Sequence, residues 1–235
     1  VALASAIGCS FAEVIDWVCE ETSAESARHS MQTRLIVSIN RHESVEIGAS
    51  VFDAAFDYVE RGVVAVDLAG READVDVQPF RPLFERARAH GLSVTIHAGE
   101  WAGADSVRSA LDLFDAERIG HGVRAVEDPA LLDLLARRGT VLEVCPSSNV
   151  DSGVVASLAD HPLPQLLSAG VRITLNTDDP SISAITLSEE MRRVLQAMPL
   201  TLADVKRMTM TAAEAAFLPA EMRRELASAL LEQDA

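Results

Sequence analysis

The sequence predicts an α/β protein built on parallel strands, and a (β/α)8 barrel of the TIM type fits it best. Three observations carry this. Short β-branched runs recur at a steady interval, amphipathic segments with helix punctuation lie between them, and each run ends on polar or glycine residues. The runs are Arg34–Ile39, Val63–Leu68, Ser93–His97, Arg118–His121, Thr140–Cys145 and Val171–Asn176, and their starts are 22 to 31 residues apart. That interval suits a strand plus a crossover helix.

Residues 1–9 offer at most one short strand, Val1–Ile7, in a stretch with equal helix character. Ser10-Phe11-Ala12-Glu13 is a capping box, with Val14, Ile15 and Val18 as the apolar stripe behind it. Phe80, Leu83, Phe84 and Ala87 repeat at helical spacing, and Gly91 stops that helix. Asp105 is expected to cap a helix that buries Val107, Leu111 and Phe114. Asp128-Pro129 reads as N-cap and first helical residue ahead of Leu131, Leu132 and Leu135, with Gly139 at the exit. Three further helices are expected at about 187–197, 201–217 and 220–232.

Polar residues decide between a barrel and an open doubly wound sheet. They stand at almost every strand end: Asn40 to His42, Asp67 to Gly70, His97 to Glu100, His121-Gly122, Cys145 to Asn149 and Asn176 to Asp179. A barrel assembles its site from several strand ends on one face. An open sheet concentrates its site at one crevice, usually with a glycine-rich phosphate turn, and the chain has no G-x-G-x-x-G or Walker pattern.

Composition narrows the function. With 235 residues the chain is expected to be a single domain over 1–235. Apolar residues make up 49% and aromatics 4%, so aliphatic side chains must fill the core. The net charge of −16 repels phosphate backbones and anionic bilayers, so neither a nucleic-acid nor a membrane partner is expected. No apolar run is long enough to span a bilayer. Cys9, Cys19 and Cys145 are odd in number and scattered, which points to a reducing compartment, the cytoplasm.

Several strand ends carry chemistry. His97-Ala98-Gly99-Glu100 sets an imidazole beside a carboxylate across a glycine turn, as metal-assisted hydrolysis needs. Taken alone it is equally a backbone-bonded His with a solvated Glu. Gly120-His121-Gly122 lets another group approach the ring closely, or is a plain tight turn. Asp178 and Asp179 in N-T-D-D-P repel each other unless a cation or ligand uses them; the alternative is an acidic turn before Pro180. Gly70, just past a strand, leaves an N–H for a ligand, or merely turns the chain. Cys145 in C-P-S-S-N has no neighbouring base in sequence and reads as a buried structural thiol. His29, His42, His90 and His161 lack ligand spacing and read as surface or packing residues.

The order of these stretches is specific. VDLAGRE (66–72), TIHAGE (95–100), ERIGHGV (117–123), LEVCPSSNV (142–150), HPLPQLLSAGV (161–171) and TLNTDDP (174–180) together resemble the adenosine deaminase family of the amidohydrolase superfamily. The resemblance implies that the six runs are strands 3–8 of the barrel. It implies a zinc ion, one per complete chain, with His97 and Asp178 as ligands. Glu100 resembles the proton donor to purine N1, and His121 the group that orients or deprotonates the attacking water. Asp179 resembles the acceptor at the purine imidazole edge, and Gly70 the backbone donor to purine N3. The implied reaction is hydrolytic deamination of adenosine or a related 6-aminopurine nucleoside to the 6-oxopurine and ammonia.

The family's H-x-H zinc pair and its first two strands have no counterpart in the chain. Zinc normally takes about three protein ligands, so the expectation is a domain incomplete at its N-terminus, part of a polypeptide of roughly 300–350 residues. The competing reading is an inactive purine- or partner-binding barrel without a complete metal site. A two-metal amidohydrolase with a bridging modified lysine is disfavoured, because the only lysine, Lys206, lies in the helical tail. The preferred purine and the oligomeric state are not set by the sequence.

Overall fold

The computed structural model describes residues 2–232. Helices α1 (Ala2–Ile7) and α2 (Phe11–Arg28) precede strand β1 (Leu35–Asn40) and α3 (Val45–Phe56). Then follow β2 (Val63–Ala69), α4 (Arg81–Ala89), β3 (Ser93–Ala98), α5 (Ala104–Phe114), β4 (Arg118–His121) and α6 (Pro129–Arg138). Next come β5 (Val141–Val144), α7 (Pro146–Asp151), α8 (Leu163–Ser168) and β6 (Arg172–Leu175). Helices α9 (Leu187–Ala197), α10 (Leu202–Ala215) and α11 (Ala220–Glu232) close the series.

The strands lie in one sheet in chain order. β1 pairs with β2 and β2 with β3 in parallel, as do β4 with β5 and β5 with β6. This α/β arrangement of six consecutive strands with alternating helices is the class expected from the six β-branched runs. Two local expectations change. The stretch read as a short strand at Val1–Ile7 is helix α1 over its described residues; its three alanines are the strongest helix formers and poor strand residues. Asp105 does not cap α5 but lies inside its first turn, where a carboxylate still favours the positive helix end.

The described residues group into two compact units. The first runs to Ile96 and takes in Leu113–Asp115. In it Ser10 and Glu13 form the expected capping box at the start of α2. The core is an aromatic run: Phe84 meets Phe52 edge-on at 5.2 Å and Phe114 at 5.0 Å between ring centroids. A β-carbon at Gly48 of α3 would come within 2.9 Å of Ile39 Cδ1, so this helix glycine lets α3 press on β1. At the C-terminal end of β2, buried Asp67 accepts a hydrogen bond from Ser38 Oγ at 2.8 Å. Buried Arg41 donates to the Leu68 carbonyl at 2.7 Å.

The second unit holds residues from His97 onward apart from Leu113–Asp115. Leu111, Ile119, Leu131, Leu135, Leu142, Leu163 and Leu166 are its largest fully buried aliphatics. Asp128 caps α6 by accepting from Ala130 N and Leu131 N, and also pairs with Arg108. A cap of this kind contributes about 1 kcal/mol. Gly139 ends α6 in the left-handed conformation, φ 70°, as its place in the sequence predicts. The Arg118 guanidinium stacks 3.6 Å from the Phe217 ring centroid, fastening the tail that follows α10 to β4.

Candidate active site

Four of the six predicted site residues meet in the second unit. β3 ends at Ala98, and the Gly99 turn carries the chain to Glu100. The turn is locked by two backbone bonds: Gly122 N donates to Ala98 O at 3.0 Å and Arg124 N to Gly99 O at 2.8 Å. Strand β4 delivers His121, only 3% exposed. Its Nε2 lies 3.5 Å from Glu100 Oε2 and 3.8 Å from Asp178 Oδ2. The His97 ring lies beside it, 5.3 Å between centroids and tilted by 60°.

Two of these residues occupy left-handed backbone positions, His121 at φ 61° and Asp178 at φ 58°. Few non-glycine residues do so. Gly122 follows His121 at φ 66°, and a β-carbon on it would stand 2.6 Å from Leu142 Cδ2. The G-H-G motif is therefore a packing requirement as well as a turn.

Asp178 follows β6 and accepts a hydrogen bond from Ser148 Oγ at 2.7 Å. Ser148 belongs to α7, which starts at the C-P-S-S-N segment. Wholly buried Glu190 of α9 holds that segment, accepting from Ser147 N at 2.7 Å and from Ser147 Oγ. Asp179 is the next residue along and is exposed, its carbonyl accepting from Ile182 N and Ser183 N.

Cys145 is buried, as its lack of a neighbouring base suggests. Burial above all, with Asp178, Glu143, Glu190 and Glu100 adding to it, pushes its thiol well above the ordinary range. It is a protonated packing group rather than a thiolate nucleophile.

Donor atoms of His121, Cys145 and Asp178 all lie within 4.8 Å of one another. Imidazole nitrogen, thiolate sulfur and carboxylate oxygen are donors that zinc takes; with the Cys145 thiol protonated, this corner offers an ion the imidazole and the carboxylate first, and the sulfur only once its proton is lost. His97 stands outside that triple, with its ring against the His121 side of it.

Gly70 lies in the first unit, at φ 84°. A β-carbon there would stand 2.6 Å from His42 Nδ1, and that nitrogen accepts from Arg71 N at 3.2 Å. His42 thus shapes the Gly70 turn, a role its spacing did not reveal.

Spacing also missed a buried chain behind His121. Asn149 Nδ2 lies 3.1 Å from His121 Nδ1, and Asn149 Oδ1 lies 3.3 Å from His161 Nε2. His161 is buried, and burial first, with His121 second, holds its pKa down at about 4. The one visible signal was that C-P-S-S-N sits at a strand end, where a polar residue turned inward needs a partner.

Parallel strands with carboxylates and imidazoles gathered past their C-terminal ends define an α/β protein with its candidate site at the barrel-type, C-terminal face of the strands. The particular family follows from comparison: the model of the family described as adenosine deaminase matches residues 2–233, and the chain belongs to that family. It is 42% identical over 227 residues to an adenine deaminase of Rhizobium leguminosarum bv. trifolii, covering 95% of this chain and 70% of that protein. It is 39% identical over 214 residues to an adenosine deaminase of Erwinia tasmaniensis, covering 91% and 64%. The crystal structure of an adenine deaminase from Arthrobacter aurescens superposes with a TM-score of 0.91 at 25% identity, over 98% of this chain and 70% of that one. An amidohydrolase from Burkholderia ambifaria, solved with bound Zn, shares the fold with a TM-score of 0.90 at 23% identity, over 98% and 64%. The chain thus spans 64–70% of the length of these proteins.

Proposed function

We propose that residues 1–235 form part of the catalytic domain of a zinc-dependent deaminase that replaces the 6-amino group of adenine, adenosine or a similar 6-aminopurine by oxygen, releasing ammonia. One observation carries the reading: His121 Nε2 stands within 3.5 Å of Glu100 and 3.8 Å of Asp178, so an imidazole and two carboxylates converge on one point. The relatives named adenine deaminase and adenosine deaminase support the substrate class.

His97 and Asp178 would hold the zinc ion, with His121 and Cys145 adjoining. When bound, the metal lowers the pKa of a water to about 7 and so supplies a nucleophile at neutral pH. The remaining work falls to the chain. Glu100, on the rigid Gly99 turn, hands a proton to purine N1 as water adds at C6. His121 positions that water from a buried ring that cannot swing away. Ser148 holds the Asp178 carboxylate in place. Asp179 accepts from the imidazole edge of the purine, and Gly70 N–H is assigned to purine N3 from the VDLAGRE resemblance. Three free cysteines favour a reducing compartment, which supports a cytoplasmic location. Among the described residues no helix is long and apolar enough to cross a membrane.

The test is metal analysis of the full-length protein joined to an ammonia-release assay with adenine and adenosine. About one zinc per chain with release from either substrate supports the enzyme. A metal-free protein that binds purines without turnover supports the inactive barrel instead.

A further inference from the structure

We propose that His161 is a positioning residue that acts through Asn149 to hold His121 in the tautomer whose Nε2 carries the hydrogen. The inference rests on the reading of His121 as the group that positions the attacking water.

The hydrogen bonds set their own direction. Leu163 N lies 3.0 Å from His161 Nδ1. A backbone N–H can only donate, so Nδ1 accepts, and in the neutral ring the hydrogen sits on Nε2. That Nε2 faces an Asn149 oxygen at 3.3 Å. The amide is thereby oriented, with oxygen toward His161 and the NH2 group toward His121. Asn149 Nδ2 then donates to His121 Nδ1 at 3.1 Å. His121 Nδ1 is an acceptor, and its hydrogen must lie on Nε2, the atom that faces Glu100 and Asp178.

One backbone N–H, at the start of α8, therefore polarises three side chains in series. Asn149 is 0%, His121 3% and His161 3% exposed, so water does not compete for these bonds. Reversing any one link would set two donors or two acceptors against each other in a buried site, where neither can turn to water. A protonated His161 would put its Nδ1–H against the Leu163 N–H, and the burial that keeps this ring neutral keeps the series aligned. The series runs from the H-P-L-P segment to C-P-S-S-N to G-H-G, three motifs far apart in sequence.

The test reads the tautomer directly. Long-range 1H–15N correlation spectra of the 15N-histidine-labelled chain at pH 8, assigned with single His→Gln variants, are expected to show both His161 and His121 as Nε2–H. Asn149→Asp is isosteric but replaces the donor with an acceptor, and should move the His121 hydrogen to Nδ1. His161→Phe should leave His121 an average of both tautomers, whereas His161→Gln, whose amide can still donate to Asn149 Oδ1, should keep Nε2–H. In the ammonia assay Asn149→Asp and His161→Phe should lower kcat by about 10–100-fold with little change in KM, and His161→Gln should retain most of it. A wild-type His121 that is Nδ1–H or mixed, or one unmoved in Asn149→Asp, overturns the proposal. Should His161→Phe fail to fold, Asn149→Asp decides alone. The spectra do not depend on turnover: an inactive chain with the expected tautomers defeats only the deaminase reading, and an active chain with a mixed His121 defeats only this one.

Discussion

The His97 ring lies directly over the backbone of Gly120: a β-carbon on that residue would stand 3.0, 3.1 and 3.2 Å from the ring's Cγ, Nδ1 and Cδ2. These are ring atoms of a rigid side chain, and the ring can yield only by tilting. Gly120 is at an ordinary strand position without positive φ, so the strain on alanine there comes first from His97, whose ring supplies the three nearest atoms. Gly120→Ala should therefore lower zinc affinity by about 10–100-fold while the fold persists. Competition against a chromophoric chelator measures the affinity, and circular dichroism checks the fold.

Glu100 follows two residues whose carbonyls are fixed by Gly122 N and Arg124 N. Glu100→Gln keeps the shape and removes the transferable proton. Turnover should fall by about 10²–10⁴-fold with zinc content unchanged. Unchanged turnover would remove Glu100 from the proton-donor role.

His161 predicts a pH effect on stability. Its folded pKa is about 4, held down by burial and by His121, against 6.5 when unperturbed. The unfolded chain binds the proton more readily, so stability rises with pH through this window. The contribution is full above about pH 6.5 and is lost as pH falls toward 4, on the order of 3 kcal/mol in all. Urea denaturation between pH 7 and 4.5 should show a shallower fall for His161→Gln than for the wild type, and parallel slopes would contradict the assignment.

Glu190 is wholly buried and serves two Ser147 donors at the head of α7. Glu190→Ala strands both in a cavity. It should destabilise the chain by about 2–4 kcal/mol and slow turnover through Ser148 and Asp178. Chemical denaturation gives the first number and the ammonia assay the second.

How much of this was readable in the sequence differs by element. All six strands fall within a residue or two of their β-branched runs, because parallel strands buried among helices need such runs; β1, with Ile36 and Ser38 exposed, is the least covered. Helices with a capping box or a glycine exit, such as α2 and α6, announced themselves. α3 did not: Ser44 caps it, but Ile47 stands where a capping box has Glu or Gln, so half the signal is missing. Glu100, His121 and Asp178 stood out because each is polar at the end of an apolar run, and the structure brings them together. Asn149, His161 and Glu190 did not. Their roles arise from hydrogen bonds between motifs, which no periodicity encodes.

His121 and Asp178 pose a dilemma for anyone improving this scaffold. Glycine tolerates their left-handed angles better than the native side chains do, but at His121 it would also open a buried cavity and strand the Asn149 amide, so backbone ease and side-chain packing pull in opposite directions there. Robustness and chemistry meet at the same two positions, and selection scored on product formation keeps both.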